Sequence, residues 1–105
     1  MQALIKDINS VAEKELARAL SVYPKFSSKH EAVGVLLEEV YELNVEYTNY
    51  KAALEFLIRG VFKDEPVEEI ARETEKLIKL MLAEGTQVLA MIKKLMKYLE
   101  EHGNE

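Results

Sequence analysis

Residues 34–47 read GVLLEEVYELNVEY, and their pattern is the clearest indication of the fold class. Apolar residues recur in this stretch every three or four positions, which is the period of an α-helix that buries one face. The same period continues toward the C-terminus through Leu54, Ile58 and Val61. An alternation of apolar and polar residues typical of strands occurs nowhere in the chain. The sequence therefore predicts an all-α protein with a long central helix.

The start of this helix is indicated by Ser28-Lys29-His30-Glu31, which has the form of a capping box. In this motif the Ser hydroxyl accepts a hydrogen bond from the amide three residues on, and the Glu side chain reaches back. Upstream, a helical period predicts a first helix over about residues 2–21, ended by Tyr23-Pro24, because the residue before proline avoids the helical region. Three poor helix formers at 48–50 are a candidate break in the long helix. A break there would make the last helix the fourth.

The second half of the chain contains one convincing turn, from Gly60 to Pro66. Pro66 suits a first helical turn, and Glu68 and Glu69 favour the start of a helix. The last helix is predicted to run to about Glu101 and to stop at 102–104. A helix of about 35 residues is roughly 50 Å long, which a compact monomer of this size does not cover. We therefore expect a helical bundle of long antiparallel helices, completed by oligomerisation into a homodimer or tetramer.

The composition limits the class of protein. The chain has 105 residues, which predicts a single domain over 1–105, and such a domain buries only about 60–70% of the surface of its unfolded chain. The absence of cysteine excludes a disulfide scaffold and Cys-ligated zinc. A net charge of −5 without a basic stripe argues against binding a nucleic acid polymer. No apolar run approaches the roughly 20 residues that span a bilayer, so we expect no membrane partner and a cytoplasmic location.

The central helix carries a cluster of carboxylates without compensating cations. Between residues 31 and 50 there is no lysine or arginine, and the glutamates are Glu31, Glu38, Glu39, Glu42 and Glu46. At about 100° per residue, three of them, Glu38, Glu42 and Glu46, follow one side of the helix. Like charges at this spacing cost about 0.2–0.5 kcal/mol per pair. A site for a hard divalent cation is one interpretation, and a solvated acidic surface is the other.

Glu84 is unusual because it lies near the middle of the apolar stripe of the last helix, between Met81 and Val88. A charged carboxylate at such a position destabilises the fold by several kcal/mol unless it is paired, protonated or bound to a metal. A pair with a lysine or tyrosine is the ordinary explanation. The acidic central helix favours a shared cation site, in which Glu38, Glu42 and Glu84 are expected to converge.

These residues resemble a known signature. Glu38-Glu39-Val40-Tyr41-Glu42, followed by Glu84-Gly85-Thr86-Gln87, is similar to the EExxE and ExxD metal-binding motifs of the MazG-like all-α nucleoside triphosphate pyrophosphohydrolase superfamily. The lead FSSKHE at 26–31 resembles the F-x-S-x-H-E of short, phage-type members, and EGTQVLAM at 84–91 resembles their second motif. The resemblance covers 26–47 and 84–99. Gln87 departs from it, because the family has aspartate at this position.

The resemblance implies an activity and a set of site residues. It implies that Mg²⁺, with Mn²⁺ as an alternative, is bound by Glu38, Glu39, Glu42 and Glu84. A water activated by the metal would attack the α-phosphorus of a nucleoside triphosphate and give a monophosphate and pyrophosphate. Glu39 is the candidate base. Candidate substrate-binding residues are Gln87, His30 and Lys94, and a helix cap is the alternative role of His30.

Two other functions are compatible with the sequence. A non-catalytic helical dimerisation or adaptor module on the same scaffold is favoured by Gln87 and by the lack of recognisable phosphate-binding residues. A ferritin-like carboxylate di-metal protein would require Glu-x-x-His on paired helices. Neither His30 nor His102 follows a glutamate by three positions, so this class is disfavoured.

Overall fold

The computed structural model describes residues 1–22 and 26–103 and consists of three α-helices. They are α1 (Gln2–Val22), α2 (Lys29–Phe62) and α3 (Glu68–His102). The described residues contain no strand, so the predicted all-α class is confirmed. None of the helices in this part of the chain is both long enough and apolar enough to cross a membrane.

The predicted capping box is present at the start of α2. The Ser28 hydroxyl oxygen accepts a hydrogen bond from the Glu31 amide at 3.1 Å. The Glu31 carboxylate reaches back one residue further than in the usual motif, and it accepts from the Ser27 amide at 3.2 Å and from the Ser27 hydroxyl at 2.5 Å. These bonds satisfy donors that a helix N-terminus otherwise leaves without partners. The predicted break at Tyr23-Pro24 lies outside the described residues.

The candidate break at 48–50 is wrong, because α2 continues through these residues. Thr48 donates its hydroxyl proton to the Asn44 carbonyl oxygen at 2.9 Å. This bond to the preceding turn satisfies the hydroxyl without opening the helix. The chain therefore has three helices rather than four in its described part.

A tight connection joins α2 to α3. The Glu65 amide donates to the Gly60 carbonyl oxygen at 2.9 Å, and Asp64 has a φ of 54°, in the left-handed region. Gly60 allows a close approach of the two helices, since a Cβ there would lie 2.7 Å from a methyl carbon of Val67. Pro66 lies just before the helix rather than in its first turn. At the other end α3 stops at Gly103, as predicted, with a φ of 64°.

The central helix of the fold is α3, which packs against both α1 and α2. One core cluster joins Leu16 of α1 to Ala90 and Met91 of α3. The other brings Phe26 and the first turns of α2 against Tyr98, near the end of α3. The molecule is elongated, with dimensions of 58 × 29 × 22 Å.

The core of the single chain is thin. In the described residues no large side chain is fully buried, and the most enclosed core positions are the alanines Ala12, Ala32 and Ala90. Many large apolar side chains of α1 and α2 remain exposed, among them Leu4, Ile5, Leu37 and Phe62. The helices thus present more apolar surface than the three of them cover.

Candidate metal centre

Three carboxyl groups meet where α2 packs against α3. Glu39 and Glu42 lie one helical turn apart on α2, and Glu84 faces them from α3. One carboxylate oxygen from each residue lies within 4.8 Å of the other two. Two oxygens on opposite sides of a Mg²⁺ ion are roughly 4.2 Å apart, which is twice a metal–oxygen distance of about 2.1 Å. Three oxygens on one octahedral ion include at least two adjacent pairs, which lie about 3.0 Å apart, so the three groups would need to close by up to roughly 1.8 Å to share one ion.

Glu84 is the least satisfied polar group of this cluster. Its Oε2 atom is buried and has no hydrogen-bond partner in the described structure. Burial, the charges of Glu42 and Glu46, and a hydrogen bond between the side chains of Glu84 and Glu42 raise the pKa of Glu84 above its ordinary value. A carboxylate oxygen in this condition is costly, because it has lost water without gaining a donor. A bound cation would remove that cost.

Glu39 has a similar environment. Burial raises the pKa of Glu39, and the charges of Glu42, Glu84 and Glu38 raise it further. The charges that shift the pKa values of Glu39 and Glu84 are all carboxylates. Glu42 is exposed, so the cluster opens to solvent on the side of this residue. The arrangement combines partly dehydrated oxygens, negative charge and an entrance, which are the properties of a site for a hard cation.

The carboxylates that converge in the structure differ in one member from the predicted set. Glu42 and Glu84 lie together as expected, but the third member is Glu39 rather than Glu38. Glu38 is exposed and lines an open depression of about 390 Å³ with Leu37, Tyr41 and Glu42. Glu38 therefore lies at the rim of the cluster. The face of α2 that packs on α3 includes the partly buried Glu39 and Glu46, so these two are not on an outer, solvated side.

Gln87, one turn after Glu84, is held by α1. Its Nε2 donates a hydrogen bond to the Glu15 Oε2 at 3.1 Å, and Arg18 donates to the same oxygen at 2.6 Å. Glu15 thus orients a residue of the candidate site, a role that sequence reasoning missed. The sequence offered no signal for it, because 72 residues separate the two partners.

Lys94 and His30 lie away from the three carboxylates. Lys94 is only 6% exposed, and its ammonium lies 4.2 Å from the centroid of the Phe26 ring. Burial lowers the pKa of Lys94, and the charge of Glu31 opposes this effect. Lys94 follows Glu84 by ten residues, which is about 15 Å along a helix. His30 is exposed in the first turn of α2, where Ser28 is the cap.

No protein-family model, curated protein or solved structure matches the chain. The resemblance to the MazG-like superfamily rests on the motifs in 26–47 and 84–99, and it stays a prediction.

Proposed function

We propose that the chain is a Mg²⁺-dependent nucleoside triphosphate pyrophosphohydrolase, with Mn²⁺ as an alternative ion. The observation that supports this most is the buried Glu84 Oε2, which has no hydrogen-bond partner and lies beside the carboxylates of Glu39 and Glu42. A protein that uses this region only for packing would gain stability from an apolar side chain at 84. A bound cation would be the missing partner of Glu84 and would offset this loss of stability.

In this proposal Glu39, Glu42 and Glu84 hold the ion, and Glu38 contributes from the rim. The metal, when bound, would offset the charge of the triphosphate and lower the pKa of a bound water. The reaction adds that water to the α-phosphorus and breaks the bond to the oxygen that bridges the α- and β-phosphates. The products are a nucleoside monophosphate and pyrophosphate. Glu39 would accept the proton of that water as the candidate base.

The substrate would occupy the open side of the cluster. The depression beside Glu42 borders it, and its lining by Leu37 and Tyr41 provides apolar surface for a base or ribose. Gln87 is the proposed substrate-binding residue, since Lys94 is buried over the Phe26 ring and His30 lies in the first turn of α2, away from the three carboxylates. Gln87 follows Glu84 by one turn, and its carbonyl oxygen is not used in the bond to Glu15.

A second candidate function is favoured by the exposed apolar side chains of α1 and α2. It is a non-catalytic dimerisation or adaptor module, in which a bundle of antiparallel helices is completed by a second copy. The same surface is compatible with an enzyme that works as a homodimer or tetramer. Assembly alone therefore does not distinguish the two functions, and the chemistry must be tested directly.

The test is pyrophosphate release from a panel of nucleoside and deoxynucleoside triphosphates, with Mg²⁺, with Mn²⁺ and with a chelator. We expect metal-dependent turnover by the wild type and a loss of at least about 100-fold in Glu42→Gln, equivalent to about 2.7 kcal/mol of transition-state stabilisation. Glu101→Gln is the matched control, since it removes one exposed carboxylate near the end of α3. A wild type that turns over no nucleotide with either metal would refute the enzyme and leave the assembly module.

A further inference from the structure

Three polar side chains connect α1 to α3 next to the candidate metal centre. The Glu15 Oε2 atom accepts two hydrogen bonds, one from the Gln87 Nε2 at 3.1 Å and one from the Arg18 guanidinium at 2.6 Å. The side chain of Glu15 is partly buried, with 27% of it exposed, whereas that of Arg18 is 70% exposed. Arg18 thus holds Glu15 from the side of the solvent, and Glu15 in turn holds Gln87.

The bond to Glu15 determines the orientation of the Gln87 amide. An ionised carboxylate only accepts hydrogen bonds, whereas a glutamine amide has a donating nitrogen and an accepting oxygen. The nitrogen must therefore face Glu15, and its second hydrogen stays with it on the side of α1. The carbonyl oxygen Oε1, which is not used in this bond, is the amide atom turned away from Glu15. Toward a ligand, Gln87 thus presents an acceptor.

Gln87 also lines a recess between α1 and α3. The other lining residues are Glu15, Arg18, Ala19 and Val22, and the recess has a volume of about 210 Å³. This is the space of roughly seven water molecules at about 30 Å³ each. Ala19 and Val22 give the recess apolar walls, and Gln87 gives it a hydrogen-bond acceptor. A ring with apolar faces and donating groups on its edge suits this combination.

The recess lies on the α1 side of the proposed metal ligands. Gln87 follows Glu84 by three residues, about 4.5 Å along α3, but the two side chains face different neighbours. Glu84 faces α2, where Glu39 and Glu42 lie, and Gln87 faces α1. A ligand with its phosphates beside Glu84 could therefore place its remaining part against Gln87. In this arrangement Gln87 contacts neither the phosphates nor the ion.

We propose that Gln87 binds the nucleoside part of the substrate through its carbonyl oxygen, and that Glu15 is the positioning residue that turns this oxygen toward the ligand. The identity of the ligand rests on the proposed function. The group that donates to Gln87 is an amino group of the base or a hydroxyl of the sugar. The phosphates are not its partners, because the oxygens of an ionised phosphate accept hydrogen bonds, as the Gln87 oxygen does.

The first test measures the pair itself by chemical denaturation, without metal or nucleotide. In Gln87→Glu two carboxylates face each other and neither donates, so the equilibrium constant of unfolding should rise about tenfold. Combining Gln87→Glu with Glu15→Gln supplies a donor at 15 and an acceptor at 87, so the double variant should recover most of this loss. A double variant no more stable than Gln87→Glu would show that the two side chains do not pair, and would overturn the proposal.

The second test measures the binding of cytidine monophosphate and of inorganic tripolyphosphate by calorimetry in Mg²⁺. Glu15→Gln keeps the size of the side chain but allows the Gln87 amide to turn over. We expect the dissociation constant of the nucleotide to rise about tenfold and that of tripolyphosphate to stay within about twofold, because one hydrogen bond to the nucleoside is lost.

The matched control is Glu13→Gln. It removes the same charge from α1 and breaks another contact between α1 and α3, the ion pair of Glu13 with Lys93 at 3.0 Å, without changing the partner of Gln87. The affinity of this variant for cytidine monophosphate should equal that of the wild type. Uridine and deoxycytidine monophosphates identify the donor in Glu15→Gln, since the first lacks the amino group of the base and the second lacks the 2′-hydroxyl.

Equal losses of nucleotide affinity in Glu15→Gln and Glu13→Gln would show that Glu15 only holds α1 on α3, and would overturn its positioning role. A weaker affinity of Glu15→Gln for tripolyphosphate or for Mg²⁺ alone would overturn the assignment to the nucleoside, and so would a wild type that binds no monophosphate. Binding does not require turnover. A protein that binds as described but releases no pyrophosphate would refute the proposed function and leave this contact, whereas turnover with unchanged binding in Glu15→Gln would do the opposite.

Discussion

Two charged side chains of α3, Glu84 and Lys94, are both withdrawn from solvent, but their surroundings differ. The ammonium of Lys94 lies over the Phe26 ring and near the carboxylate of Glu31, so its charge is partly compensated within the chain, although burial still lowers its pKa. The carboxylate of Glu84 lies among other carboxylates, and one of its oxygens has no hydrogen-bond partner in the described residues. Within residues 1–22 and 26–103, the chain therefore supplies the counterpart of one charge and not of the other.

The difference separates a structural charge from a candidate site. A buried cation above an aromatic ring stabilises the fold through the chain's own atoms. A carboxylate cluster without a cation destabilises the fold until something else neutralises it. On α3, the charge of Lys94, near the C-terminal end, thus has partners within the chain. The charge of Glu84, near the middle, has no cationic partner in the described residues. Measurements of stability on variants of Glu84 and Lys94 distinguish the two kinds of charge.

The largest effect is expected from the metal itself. Mg²⁺ at 100 times its dissociation constant should stabilise the wild type by about 2.7 kcal/mol, because only the folded chain assembles the site. For a domain of this size 1 kcal/mol corresponds to roughly 4–8 °C in melting temperature. Glu84→Gln should melt at the same temperature with and without the ion. Thermal melts of the wild type and of Glu84→Gln, in chelator and in Mg²⁺, measure the shift in melting temperature. Equal shifts in the two proteins would show that Glu84 does not bind the ion.

A smaller effect is expected at Lys94. Lys94→Met keeps most of the volume and removes the contact of the ammonium with Phe26, which should cost about 1 kcal/mol. The stabilisation by Mg²⁺ should remain unchanged, because Lys94 lies about 15 Å along α3 from Glu84. Chemical denaturation measures the cost, with the exposed Lys97→Met as control. If Mg²⁺ no longer stabilised Lys94→Met, the result would show that Lys94 and Glu84 belong to one site.

The smallest effect concerns pH. The raised pKa of Glu84 means that the folded chain without metal binds this proton more tightly than the unfolded chain. The resulting stabilisation is complete below the ordinary glutamate pKa, and it is lost as the pH rises through the raised value. Glu84→Gln does not lose stability in this way, because glutamine does not titrate. In chelator, its stability relative to wild type should therefore increase by a few tenths of a kcal/mol between about pH 4.5 and 7. A difference that stays constant with pH would contradict the raised pKa.

The sequence predicts the helices well because their signals are local. The capping box at Ser28 and the stop at Gly103 are confirmed by the structure. The candidate break at Thr48 is wrong for a reason that helix propensity does not include, which is the hydroxyl bond to the preceding turn. Propensity describes an average residue in water, whereas this side chain has a specific partner.

The site is predicted less completely because it depends on which face of α2 meets α3. Glu84 is recognised from the sequence, since α3 has one narrow apolar face. On α2 the apolar residues cover a broad face, and the pattern does not state which part of it packs on α3. The structure packs the side that contains Glu39 and Glu46 and leaves Leu37 and Val40 exposed. The preference for Glu38 over Glu39 as a converging residue follows from this ambiguity.

The tight approach at Gly60 has a consequence far from the turn. Glu42 lies 18 residues before Gly60, or about 27 Å along α2. A small change in the angle between α2 and α3 at the turn is therefore a much larger displacement at Glu42. A change of only about 2° in the angle between them would shift the carboxylates of Glu42 and Glu84 by roughly 1 Å relative to each other, which is more than a coordination sphere tolerates. A methyl group at Gly60, pressing on Val67, is therefore expected to change the spacing of the candidate metal ligands without touching any of them.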